Sequence, residues 1–212
     1  MRVQTLQGVD VSREKYTVIA NGIDIKKFVF NEKDRKLIRQ KYKIGDRTVI
    51  GHVGRFTYQK NHTLIIDIFS EYHKNNPESV LMLVGEGEDK EKIWNYVLHK
   101  GLFDDVIFTG AVPNVWSFLS AMDKFLFPSL YEGLGIALLE AQACNLPCLI
   151  SDMVPKDGCL SNCVSLKLGE PVGVWATQLE KMEKRLGGIP QSLIKYDVHN
   201  VVAKLQAFYL KE

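Results

Sequence analysis

The sequence predicts an α/β protein built on a Rossmann-like, doubly wound parallel sheet. Two observations carry that expectation. Six short runs, "RTVIGHVG" (47–54), "SVLMLVG" (79–85), "DVIFTG" (105–110), "KFLFPS" (124–129), "PCLIS" (147–151) and "CVSLKL" (163–168), are rich in β-branched and aromatic residues. Their nearly continuous apolar character is the pattern of strands covered on both faces. Between them lie segments with apolar residues at helical spacing: "NHTLIIDIFSEYHKNN", "EDKEKIWNYVLHKG", "NVWSFLSAMD" and "LGIALLEAQACN". Strand, helix, strand, repeated, implies crossover connections and therefore parallel strands.

Taken in order, the first strand ends at Gly54, and the helix after it puts Leu64, Ile65, Ile68, Phe69 and Tyr72 on one face. The second and third strands end at Gly85 and Gly110, and the fourth closes at Pro128 and Ser129. A helix from about Leu134 to Cys144 follows, and then the buried strand that contains Cys148. Near the end, "DVHNVVAKLQAFYL" reads as a helix whose apolar face includes Val198, Val201, Val202, Leu205 and Phe208.

The remaining composition excludes several classes of function. A formal charge of +2 and the lack of a basic block give no electrostatic case for nucleic acid. Glu140 interrupts the longest apolar run before the ~18 residues that would span a bilayer, and "MRVQTLQGVDVSREKY" lacks a signal-peptide core, so a cytoplasmic location is expected. Cys144, Cys148, Cys159 and Cys163 form two Cys-x3-Cys pairs, but zinc knuckles usually have a two-residue gap and Cys148 sits in a buried strand. Neither a metal site nor a disulfide is expected, the latter because the cytoplasm is reducing.

In an open parallel sheet, ligands bind beyond the carboxyl ends of the strands, so the loops after each strand are where function is sought. After the first strand, Gly54 lets the backbone approach a ligand, and Arg55 and Lys60 can converge on one anion across a turn. A solvated basic loop is the alternative at this point. "GEGEDKEK" after the second strand has neither a P-loop lysine nor the third glycine of a dinucleotide fingerprint. Gly110 precedes "AVPN", an apolar edge able to pack against a flat base, or else a plain turn. After the fourth strand, Gly133 and Gly135 expose backbone amides at a helix start, which is an anion site. Glu132 and Glu140 flank those amides, and hydroxyl groups of a sugar are the sensible target for carboxylates placed beside a phosphate cradle.

"EGLGIALLE", with two glutamates separated by seven residues, resembles the motif of retaining glycosyltransferases of family 4. Their GT-B fold has two Rossmann-like domains. "VIANGIDIKKF", "VGRFTYQKNH", "LMLVGEGED", "VIFTGAV", "FLFPSLYEGLGIALLEAQACNLPCLISD" and "YDVHNVVAKLQAFYL" follow in the family's order, with members of the bacterial surface-polysaccharide branch particularly similar. The resemblance implies that residues 16–212 form a nucleotide-sugar (donor) binding domain, the C-terminal half of a GT-B fold, preceded by a remnant or linker at 1–15. It implies that Arg55 and Lys60 hold the diphosphate of a nucleotide sugar, helped by Gly54 and the amides of Gly133, Leu134, Gly135 and Ile136. It places Glu140 on the ribose hydroxyls, Glu132 beside the transferred hexose, and Val112, Gly110 and Gly85 near the base.

The same resemblance implies a UDP-linked donor, no metal, and an acceptor glycan or lipid-linked sugar held by an N-terminal domain absent from this chain. The intact enzyme would then associate peripherally with the membrane, and the isolated chain would bind its donor without transferring. A sugar-nucleotide epimerase half and a binding module without transferase activity remain as alternatives. His52 is expected to be packed rather than catalytic, Ser129 and Tyr131 are expected to pack beside the acid loop, and Asp123 and Asp152 to close turns.

Overall fold

The computed structural model describes residues 18–210 except Ser161, Lys184, Leu186 and Gly187, so the remnant or linker at 1–15 lies outside the described residues. All six expected strands are present: β1 (Thr48–Val53), β2 (Ser79–Val84), β3 (Val106–Gly110), β4 (Lys124–Phe127), β5 (Cys148–Ser151) and β6 (Cys163–Leu166). They form one sheet in the order β3-β2-β1-β4-β5-β6, every pairing parallel. β1 and β2 pair along their full lengths, from Thr48 opposite Ser79 to Val53 opposite Val84. All six residues of β2 are buried, as the unbroken apolar run requires of a strand covered on both faces.

Among the described residues there are seven α-helices, of which the first six cover the sheet: α1 (Glu32–Lys41), α2 (His62–Asn75), α3 (Lys90–His99), α4 (Val115–Ala121), α5 (Ile136–Ala143), α6 (Val172–Lys181) and α7 (Val198–Tyr209). Successive strand residues point to opposite faces and so join two separate cores. Val49, Met82, Phe125 and Ile150 pack with Ile38, Phe118, Leu138 and Leu139 of α1, α4 and α5. Ile50, Leu81, Leu126 and Leu149 pack with Ile65, Phe69, Ile93 and Trp175 of α2, α3 and α6.

α1 is held as much by charge as by apolar area. Asn31 caps it by accepting from the amides of Lys33 and Asp34 at 2.9 and 3.1 Å. Arg39, buried in spite of its charge, donates to the carbonyls of Ala121, Gly45 and Arg47 and lies 2.5 Å from Asp123. The same carboxylate accepts from Arg35 at 2.7 Å and from the Val49 amide at 2.8 Å. Burial lowers the Arg39 pKa against the attraction of Asp123, and the matched donors offset the cost of burying the charge. Asp123 thus does more than close a turn: it ties α1 to the start of β4 and to β1. Asp152 likewise makes a long-range bond, accepting from the Leu168 amide at 3.0 Å and so tying the chain after β5 to the chain leaving β6.

The cysteines divide. Cys144 and Cys148 are free and buried, as expected, and burial pushes both thiols up, Cys148 the further. Cys159 and Cys163 form a disulfide, which corrects the expectation of four free cysteines. The reason lies in the chain path: a 3-10 turn at Lys156–Gly158 leads into Cys159, and Cys163 opens β6 beside β5, with the two Cα atoms 5.7 Å apart.

α7 matches the expectation of an underused apolar face. Its root is fixed, since Ile23 and Asp197 bridge in parallel, the Val198 amide donates to the Ile23 carbonyl at 2.9 Å, and Asp197 caps the helix through the His199 amide. Beyond the root, Val202, Leu205 and Phe208 are exposed, and no residue of the helix is buried.

Candidate nucleotide-sugar site

β1 and β4 are neighbours in the sheet although two strands separate them in sequence, and from there the order runs outward in both directions. That is the topological switch point. The chain leaving β1 turns toward α2 on one face, and the chain leaving β4 turns toward α5 on the other, which opens a crevice between the two loops. Arg55 and Lys60 lie on the first loop, and Glu132, Gly133, Leu134 and Gly135 lie on the second.

The two loops are tied together directly. A 3-10 turn, Tyr58–Lys60, followed by Asn61 in the left-handed region (φ 55°), brings the first loop across the second. Gln59 makes two of the ties, donating from Nε2 to the Tyr131 carbonyl at 2.9 Å and accepting from the Leu130 amide at 2.8 Å. Asn61 adds a bond to the Pro128 carbonyl at 3.3 Å. Lys60 Nζ lies 2.5 Å from Glu132 Oε1 and 4.8 Å from the centroid of the Phe127 ring. Gln59 has no signal of its own in the sequence, because its partners belong to a strand end 71 and 72 residues further on.

The two cations therefore differ. Lys60 is largely enclosed and already paired, whereas Arg55 is exposed and its guanidinium has no hydrogen-bond or ion-pair partner among the described residues. Facing them is the start of α5, two residues inside the expected boundary. Gly135 stands at its N-cap with φ 75°, a conformation that side chains rarely adopt, and no side chain caps the helix. The first-turn amides are left to a ligand or to water, and they present the positive end of the helix dipole. Gly133 is exposed, and a Cβ added there meets nothing within 4 Å.

Glu132 and Glu140 lie apart, as the helix rise demands. Glu132 stays on the loop with Lys60. Glu140 is on α5, half-buried, and its carboxylate has no hydrogen-bond or ion-pair partner among the described residues. Burial alone pushes its pKa up to about 7, since no hydrogen bond or cation among the described residues favours the ionised form.

Gly85 needs its missing side chain for the fold. With φ 144°, a Cβ there would fall 2.0 Å from the Gly54 carbonyl oxygen, so the glycine lets the loops after β1 and β2 touch. Bonds from the Gly54 amide to Val84, from Phe56 to Glu86 and from Gly85 to Gly110 knit those loops with the one after β3. Gly110 and Val112 lie at the end of β3, two strands from β1, and Val112 packs partly against the core.

His52 is fully buried, with Nδ1 2.9 Å from the Leu126 carbonyl, and desolvation holds its pKa well below the usual value. His62 stacks on Phe56 with ring centroids 4.1 Å apart and is lowered to about 4, mainly by burial and then by Lys60. Both imidazoles are neutral packing groups beneath the site, as expected of His52. Ser129 is buried and its carbonyl accepts from Ser151 at 2.6 Å, while Tyr131 is exposed and not packed. No cluster of three or more potential metal-ligating His, Cys, Asp or Glu residues occurs among the described residues. A cavity of about 750 Å³ opens at the opposite end of the sheet, where Arg35, Lys124 and Arg185 alternate with Asp46, Asp123 and Glu180.

The family described as "Glycosyl transferases group 1" matches residues 34–157, more than half of the chain. The chain belongs to that family. The match runs from α1 through the turn after β5 and takes in both loops of the crevice, which sets aside the epimerase reading. Among relatives of this group 1 chain, the glycosyltransferase EpsF of Bacillus subtilis is 34% identical over 175 residues, covering 81% of this chain and 46% of that protein. The UDP-Gal:alpha-D-GlcNAc-diphosphoundecaprenol alpha-1,3-galactosyltransferase of Escherichia coli is 34% identical over 149 residues, covering 66% of this chain and 37% of that protein. The solved structure of Anabaena HepE in complex with UDP and glucose superposes with a TM-score of 0.79 at 20% identity, covering 94% of this chain and 58% of that one. At that identity the likeness establishes the fold. The chain spans about half the length of the curated relatives it matches. No helix among the described residues is long and apolar enough to cross a membrane.

Proposed function

We propose that this chain is the donor-binding half of a retaining glycosyltransferase that moves a hexose from a UDP-linked sugar to a glycan or lipid-linked acceptor. The observation that carries the reading is the meeting of Lys60, Glu132 and the uncapped start of α5 at the switch point between β1 and β4, with Arg55 free beside them. The UDP-Gal in the name of the galactosyltransferase relative and the UDP bound by HepE support a uridine nucleotide as the donor. The diphosphoundecaprenol in the same name supports a lipid-linked acceptor, the location of which would put the enzyme at the inner face of a membrane.

The residues take the following parts. Arg55, Lys60 and the amides of Gly133 to Ile136 hold the diphosphate and offset the charge that builds on it as the bond to the sugar breaks. Glu140 accepts from the ribose hydroxyls, and Glu132 from a hydroxyl of the hexose. The base rests near Gly110 and Val112, with Gly54 and Gly85 shaping the loops that carry it. In a retaining front-face displacement, the bond from the anomeric carbon to the β-phosphate oxygen breaks while the acceptor oxygen bonds to the same face. The acceptor hydroxyl gives its proton to the departing phosphate oxygen. The cations of this chain supply the charge stabilisation that the step needs, and no metal is invoked.

Because the chain covers half of its relatives, we assign acceptor binding to the other half. Residues 1–212 alone are expected to bind UDP and to release none from a UDP-hexose when a panel of acceptors is added, since nothing holds an acceptor in attack geometry. The same residues joined in one chain to an acceptor-binding half from a group 1 relative are expected to release UDP in an acceptor-dependent way. Robust transfer by residues 1–212 alone would contradict the division of labour.

A further inference from the structure

Lys60 and Glu132 are the oppositely charged members of the crevice, and without a ligand they are bonded to each other. Their side chains are 16% and 6% exposed, and Lys60 is the only partner of the Glu132 carboxylate among the described residues. Gln59 and Asn61 lock the loops that carry them, so neither side chain can follow the other far. A carboxylate this enclosed is strongly unfavourable when charged and unpaired.

We propose that the Lys60–Glu132 pair is a selectivity latch that makes the site prefer a nucleotide sugar over the free nucleotide. The inference rests on the donor-site reading above. A diphosphate binding at the crevice competes with Glu132 for the Lys60 ammonium. A free nucleoside diphosphate that wins this competition leaves the Glu132 carboxylate with no donor and places a second anion beside it, which is doubly unfavourable. A nucleotide sugar opens the same ion pair but brings hexose hydroxyls, each a hydrogen-bond donor able to take the place of Lys60 on the carboxylate. Glu132 therefore senses whether a sugar is attached. After transfer the hexose leaves, Glu132 reclaims Lys60, and the diphosphate loses its cation, which favours release of the product.

Titration calorimetry with UDP and with UDP-glucose, UDP-galactose and UDP-N-acetylglucosamine tests the latch on the wild-type chain and on Glu132→Gln, Glu132→Ala and Arg55→Ala. Removing the carboxylate is expected to tighten UDP binding about tenfold and to leave binding of the best UDP-sugar unchanged or weaker, so that the preference for the sugar form collapses. Thermal unfolding of each variant shows whether it is folded, and the two substitutions at Glu132 give independent routes to the same loss of charge. UDP binding that is unchanged or weaker in every folded Glu132 variant would overturn the latch, because Lys60 would then serve carboxylate and diphosphate together. Wild-type affinity for UDP in Arg55→Ala, or no UDP binding by the wild type, would instead overturn the donor-site reading beneath it.

Discussion

Lys60→Ala is expected to weaken UDP binding by about 3 kcal/mol, roughly a hundredfold, and to cost the ligand-free chain about 2 kcal/mol of stability. The affinity falls because a charge-assisted bond to the diphosphate is lost. The stability falls because a carboxylate 6% exposed is left without a partner. Arg55 provides the contrast. Its exposed, unpaired guanidinium contributes nothing to the fold, so Arg55→Ala is expected to weaken UDP binding by about 1.5–3 kcal/mol with stability unchanged within about 0.5 kcal/mol. Adding Glu132→Gln to Lys60→Ala should restore most of the lost stability and part of the affinity, a non-additivity expected of residues in contact. Calorimetry and urea unfolding read the two effects separately. Equal behaviour of the two basic residues would contradict the division between a paired and a free cation.

Glu140→Gln is expected to stabilise the ligand-free chain while damaging its binding. The carboxyl is pushed from 4.5 up to about 7 by burial, so the folded chain holds that proton more tightly than the unfolded one. This contribution favours the fold fully below about pH 4.5 and is lost as the pH rises through about 7. The ionised group then opposes folding by about 3 kcal/mol at most. The substitution should therefore raise stability by about 1–3 kcal/mol at pH 8 and by less than about 1 kcal/mol at pH 5, where the folded carboxyl is still protonated. Ribose hydroxyls favour the ionised form, so UDP binding near pH 7 should release part of a proton, seen as a binding enthalpy that depends on the buffer. In Glu140→Gln that dependence should vanish and affinity should fall by about 1 kcal/mol. Unfolding midpoints that shift equally at pH 5 and pH 8 would show that Glu140 is not a desolvated carboxylate awaiting a ligand.

The sheet was legible because its strands are apolar on both faces, a pattern that survives without knowledge of neighbours. α1 was not. Its Leu37 is exposed and its hold on the sheet comes through Arg35 and Arg39, whose partner Asp123 is 84 to 88 residues away. α6 was missed because Gly173 and β-branched residues dilute its first turn, and its helical state comes from burying Trp175 and Leu179 against α2. At the crevice, Arg55, Lys60, Glu132 and Glu140 could be picked out by residue type and by position after a strand. Their mutual arrangement could not, since it depends on β1 and β4 being neighbours. That adjacency brings Lys60 and Glu132 into an ion pair between two loops that Gln59 ties together. It also revealed that Gly85 serves the approach of one loop to another. The Cys159–Cys163 pairing was not legible because it depends on the chain path between the turn at Lys156–Gly158 and β6, which brings the two Cα atoms to 5.7 Å.

The position of the diphosphate in a crystal of this chain grown with UDP tests the central claim most directly. Basic side chains gather at the crevice at the carboxyl ends of β1 and β4, and also in the cavity of about 750 Å³ at the opposite end of the sheet, with Arg35, Lys124 and Arg185. The diphosphate is expected at the crevice, between Arg55, Lys60 and the amides that open α5, with the ribose hydroxyls on Glu140. A diphosphate seated among Arg35, Lys124 and Arg185, with the Lys60–Glu132 bond and the Glu140 carboxylate untouched, would contradict it.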